Sequence, residues 1–122
     1  MNKYKNYDFY FTGHSLGGNL AYNGGAKALS IDSGRVKRIV TFNGLGLTKI
    51  ILPTDLVTSI ILINAGNKII NYCVRVEENK LLKLDYVYGL IETEHFGKTY
   101  FCEINANAPD RHSLYTFIEK LQ

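Results

Sequence analysis

The sequence predicts an α/β protein built on a mostly parallel sheet, with a serine at the turn that leaves its first strand. Three observations carry this. Short runs rich in aromatic and β-branched residues alternate with longer runs of helical periodicity, as in strands joined through helices. The first strand-like run leads straight into Gly13-His14-Ser15-Leu16-Gly17, with glycines two residues before and two after a serine. A run dense in glycine and alanine follows, suited to a helix lying close on a sheet.

Residues 7–12 form the predicted first strand, with Phe9 and Phe11 on one face and Asp8 and Tyr10 on the other. A helix follows over residues 15–30. It contains Gly17, Gly18, Gly24 and Gly25, and each glycine costs a helix about 1 kcal/mol relative to alanine. Gly17, Ala21, Gly24 or Gly25, and Ala28 fall near helical spacing and form a small-residue stripe that would let the helix approach the sheet closely. Residues 38–42 (RIVTF) predict the second strand, ended by Asn43-Gly44. Pro53 breaks the next segment, and Asp55 is the predicted cap of a helix that runs to Ala65 and stops at Gly66. Residues 69–76 (IINYCVRV) and 98–104 (KTYFCEI) predict a third and a fourth strand. Residues 110–121 read as a final helix with Leu114, Phe117, Ile118 and Leu121 on one face.

At 122 residues the chain suits one domain, residues 1–122, rather than two. An apolar content of 46% supports a core and excludes a disordered class. The net charge of +3 is spread along the chain. Its densest piece, Arg35-Val36-Lys37-Arg38, reads as a solvated turn leading into the second strand, so no nucleic-acid partner is expected. Cys73 and Cys102 have no metal-ligating spacing and read as buried thiols in strands; neither metal nor cofactor is expected. The N-terminal MNKYKNY has charge but no apolar core, so it is not a signal peptide. The longest apolar stretch, around residues 60–63, is too short to span a membrane, which leaves the cytoplasm as the default location.

Strand, then TGHSLGG, then helix is the order a nucleophile elbow requires. The serine must sit on a sharp turn, and flanking glycines remove Cβ atoms that would clash there. The helix N-terminus then directs partial positive charge at the site, and the amide of Leu16 is the natural donor to a developing oxyanion. The strand before and the helix after raise the motif above a chance five-residue match. His14, inside the motif, is expected to point away from the Ser15 hydroxyl and to serve packing.

TGHSLGGNLA resembles the elbow of the class 3 lipases and of a related bacterial lipase-like family of unknown function, all α/β-hydrolases. RVKRIVTFNGLGL, residues 35–47, resembles the strand and loop that follow. The segment from Ile69 resembles the strand leading to the acid of a catalytic triad. His95-Phe96-Gly97-Lys98-Thr99-Tyr100 resembles an HxGK-x-Y strand, and His112-Ser113-Leu114-Tyr115 resembles the segment that supplies the triad histidine. The resemblance spans nearly the whole chain but only the second half of the family's domain. It implies a partial α/β-hydrolase fold and a serine hydrolase acting on carboxylic esters, with Ser15 as nucleophile, His112 as base and a lipid or other small ester as substrate.

Chain order in this fold is serine, acid, histidine, which His112 satisfies. His95 reads as an ordinary surface or turn residue. The acid should follow the third strand, where Glu77, Glu78 and, further on, Asp85 lie. Alignment with the family's acid position falls on Asn79, which could orient His112 but not stabilise an imidazolium by charge. Glu78, one residue away, is the acid assigned. Only residues 1–6 precede the first strand, so no upstream loop supplies a second oxyanion donor. The strand is left with an open edge, although aromatics on both faces expect burial on both. The expectation is that the chain is the C-terminal part of a larger domain, or that it forms a homodimer through this edge. The competing reading is a non-catalytic lipase-like scaffold, since fold alone does not decide function.

Overall fold

The computed structural model describes residues 1–44, 47–48, 54–75 and 93–103. In chain order these form β1 (Phe9–His14), α1 (Leu16–Asp32), β2 (Val36–Phe42), β3 (Leu47–Thr48), α2 (Thr54–Asn64), β4 (Ile69–Arg75), β5 (Thr93–Glu94) and β6 (Lys98–Glu103). Strands β1, β2, β4 and β6 make a four-stranded sheet in that order, and every neighbouring pair is parallel. The class is therefore α/β, as predicted. The predicted helix over residues 110–121 lies outside the described residues, as do residues 76 and 104 at the ends of the third and fourth predicted strands.

The main departures are at element ends. β1 runs through His14 because Gly13 and His14 still pair with Thr41 and Phe42 of β2. β2 begins at Val36, which is fully buried and joins the sheet two residues before the predicted start. Thr54 is already helical, so Asp55 lies in the first turn of α2 rather than at its cap. The antiparallel pair β3–β5 has two residues per strand, too few for any alternation to be read.

Helix α1 packs on β1, β2 and α2 and buries Gly18, Ala21, Tyr22, Gly25, Ala26, Ala28 and Leu29. The small-residue stripe keeps the expected phase at Ala21, Gly25 and Ala28, and differs only at its start, where Gly18 rather than Gly17 is buried. A Cβ at Gly25 would collide with the end of Ile39, one at Gly24 would sit 3.4 Å from the Phe11 ring, and one at Gly17 would meet nothing within 4 Å. The turn at Ser15 sets this phase, since the residue three positions on faces the sheet. Tyr22, Ile39, Leu62 and Ile69 are buried at 0–1% exposure, each such burial contributing about 1.5–3 kcal/mol.

Arg35 is not the solvated residue expected. It is partly buried, its Nε donates to the Tyr7 carbonyl at 3.1 Å, and its Nη atoms reach the carbonyls of Tyr4 and Met1, so it holds the N-terminal residues down. Neither cysteine forms a disulfide; Cys73 is buried, whereas Cys102, on β6, is only partly so. The sheet face away from α1 carries Phe42, Tyr72 and Tyr100, stacked across β2, β4 and β6 at 5.5 and 5.6 Å between ring centroids. On β1, Tyr10 is 69% exposed, so burial on both faces is not met among the described residues.

Candidate active site

Ser15 is the single residue between β1 and α1, and its backbone lies at φ 58°, ψ −122°. Non-glycine residues rarely adopt positive φ; Ser15 and Asn43 are the two that do among the described residues. A serine before a helix normally has an extended backbone and accepts a hydrogen bond from the first turn. Ser15 has neither property, for its side chain makes no capping bond. Instead the backbone closes the turn. Ser15 N donates to the Phe42 carbonyl at 3.2 Å, which ties the turn to the end of β2, and Gly18 N donates to the Ser15 carbonyl at 3.0 Å.

Gly13 makes this turn sterically feasible, because a Cβ there would overlap the carbonyl of Gly17. The expectation that Gly17 removes a second clash is corrected: its Cβ would point into open space. What matters at residue 17 is the path of its backbone over Gly13. His14 pairs in register with Phe42 and, by strand alternation, faces away from α1. The N–H groups of a helix's first turn lack intrahelical acceptors, so those of Leu16 and Gly17 stand at the positive end of α1 beside Ser15. The Leu16 side chain itself is 60% exposed.

Below this turn lies a buried polar network that sequence reading missed. Asn71 Oδ1 accepts from Tyr22 Oη at 2.5 Å and from Thr41 Oγ1 at 2.7 Å, and its Nδ2 donates to the Phe96 carbonyl at 2.6 Å. Phe96 N in turn donates to Tyr22 Oη at 3.3 Å. The group joins α1, β2, β4 and the segment before β6. A fully satisfied buried network of this kind fixes one arrangement of its elements. Asn43, at φ 44° and 1% exposure, ends β2 with its N–H donating to the Tyr72 carbonyl at 2.8 Å.

His95 is not the surface or turn residue expected. It is partly buried, its ring stands edge-on to Tyr22 at 6.1 Å, and its Nε2 lies 2.5 Å from the Gly44 carbonyl. A carbonyl can only accept, so Nε2 carries the hydrogen. The contact joins residues 51 apart in sequence, and no local pattern announces it.

The structure thus gathers Gly13, His14, Ser15, Leu16 and Gly17 in one strand-to-helix turn. His112 and the candidate acids Glu77, Glu78, Asn79 and Asp85 lie outside the described residues. Among the described residues no group of His, Cys, Asp and Glu could hold a metal ion, and no helix is long and apolar enough to cross a membrane. A cavity of about 350 Å³ lined by Leu29, Ser33, Ile61 and Lys68 opens between α1 and α2. It lies at the end of the sheet where β2 and β4 begin, opposite Ser15.

A family model described as lipase (class 3) matches residues 1–42, the stretch from the N-terminus through β1, Ser15 and α1 to the end of β2. No curated protein and no solved structure matches the chain. Over those residues the chain is similar to class 3 lipases, and its parallel four-stranded sheet with helices is consistent with a partial α/β-hydrolase fold.

Proposed function

We propose that this chain is a serine hydrolase of carboxylic esters, lipase-like in its chemistry, with Ser15 as nucleophile. The observation that carries this is the state of Ser15: strained backbone between strand and helix, a hydroxyl that does not cap the helix, and a Gly13 whose place no side chain could take. Strained non-glycine residues cluster at functional sites when their surroundings hold them there, and this strand–serine–helix turn has the form of a nucleophile elbow. The match of residues 1–42 to class 3 lipases supports the same reading.

In this reading the Ser15 hydroxyl attacks the ester carbonyl while His112 accepts its proton. The Leu16 N–H, at the positive end of α1, stabilises the oxyanion. Collapse of the tetrahedral intermediate expels the alcohol, which takes the proton from His112, and leaves an acyl-Ser15. Water, deprotonated by His112, then releases the acid and restores the serine. Glu78 orients His112, with Glu77 and Asp85 as the other carboxylates in reach of that role by chain order.

The test is hydrolysis of a short-chain nitrophenyl ester. Ser15→Ala is expected to lower turnover by at least about 1,000-fold, since removing a triad nucleophile can cost on the order of a million-fold. Equal turnover in the wild type and Ser15→Ala would refute the assignment. A folded wild type with no turnover would favour the scaffold reading.

A further inference from the structure

We infer that His95 is a positioning residue for Ser15: it clamps the Asn43–Gly44 turn against the first turn of α1, and through that turn fixes the backbone on which the Ser15 amide hangs. The inference rests on the reading of Ser15 as nucleophile.

His95 stands on a rigid base. Its neighbour Phe96 is 6% exposed and held at both backbone groups, the N–H by Tyr22 Oη and the carbonyl by Asn71 Nδ2. Gly97 adopts φ 75°, and a Cβ there would run into the Ile69 carbonyl, so only glycine lets this segment lie so close to β4. From that base the imidazole packs edge-on to Tyr22 and Nε2–H reaches the Gly44 carbonyl.

Gly44 is wedged on its other side. A Cβ at Gly44 would lie 2.8 Å from Thr41 Cβ and 3.2 Å from Gly18 Cα, so this residue is in close contact with α1 one turn after Ser15. Two residues before Gly44, the Phe42 carbonyl accepts the Ser15 N–H. Between them sits Asn43 in the left-handed region, a conformation that persists only where its surroundings impose it. Among the described residues, His95 is the side chain outside β2 and α1 that holds the Gly44 carbonyl. Without its donor the turn has one fewer restraint, and relaxation of Asn43 would carry the Phe42 carbonyl, and with it Ser15, away from a geometry in which small displacements are costly.

Two variants separate the donor from the packing. His95→Phe keeps a ring against Tyr22 and removes the donor; His95→Gln keeps an N–H near the Nε2 position. Two readouts are taken on each folded protein: amide hydrogen exchange at Ser15 and Asn43, and the rate at which a fluorophosphonate labels Ser15. His95→Phe is expected to speed exchange at both amides and to slow labelling, each by about tenfold, while His95→Gln stays near wild type in both. Unchanged exchange and labelling in His95→Phe would overturn the inference. Equal losses in both variants would also overturn it, since they would assign the role to packing alone. A wild type that takes no label would instead overturn the hydrolase reading, and the exchange rates alone would then decide whether His95 clamps the turn.

Discussion

The turns that close β1 and β2 stand side by side at one end of the sheet and share an unusual backbone, with φ at 58° in Ser15 and 44° in Asn43. Their side chains meet opposite fates. Asn43 is buried to 1% exposure, and its turn is held by the Tyr72 carbonyl, Thr41, Gly18 and His95. Ser15 is only partly buried and runs directly into α1, whose first-turn amides face it. Positive φ therefore serves two ends. At Asn43 it lets the chain leave β2 tightly and seat Gly44 on α1. At Ser15 it ends β1 directly against the N-terminus of α1, where negative charge is favoured. Positive φ alone therefore does not single out Ser15; partial accessibility and the helix end behind it separate it from Asn43.

Gly13→Ala should damage the Ser15 turn most severely. The added methyl would overlap the Gly17 backbone, which has no flexible side chain to move aside. The expected cost is at least about 3 kcal/mol, at the upper end for overpacking, with loss of esterase activity, read by denaturant unfolding and ester turnover. A variant as stable and active as wild type would mean that the turn is not built as described.

The next test makes one change in both turns. Ser15→Gly relieves the strain of positive φ and deletes only a partly buried hydroxyl, so it should stabilise the fold by about 1 kcal/mol while abolishing turnover. Asn43→Gly relieves similar strain but empties a fully buried polar position, so it should destabilise by about 1 kcal/mol. Opposite signs in thermal or chemical unfolding support two different uses of strain; the same sign in both would erase the distinction.

The smallest effect is expected at Gly17→Ala. Because a Cβ there meets nothing within 4 Å, stability should stay within about 0.5 kcal/mol of wild type. A large loss would restore the symmetric role that the sequence suggests for both motif glycines.

How legible each part was follows from how local its cause is. The Ser15 turn, both main helices and the strands β1, β2, β4 and β6 are written in consecutive residues: a glycine-flanked serine, small residues at helical spacing, and runs such as IINYCVRV. The stripe on α1 is legible at Ala21, Gly25 and Ala28 but not at its first residue, Gly18, because that depends on where the turn ends and the helix begins. The Tyr22–Asn71 bond and the His95–Gly44 contact span 49 and 51 residues, and neither partner carries a local signature. For that reason His95 reads as ordinary in the sequence, and Arg35 reads as solvated because the carbonyls it binds belong to the N-terminal segment. His112 and Glu78 rest on chain order and resemblance, and they lie outside the described residues.

Whether the Ser15 hydroxyl is the reactive nucleophile is read by incubating the wild type and Ser15→Ala with a fluorophosphonate probe and locating the adduct by peptide mass spectrometry. One adduct is expected, on the peptide carrying Gly13-His14-Ser15-Leu16-Gly17, present in the wild type and absent from Ser15→Ala. A folded wild type that takes no label, or that takes it on a serine other than Ser15, would contradict Ser15 as the nucleophile.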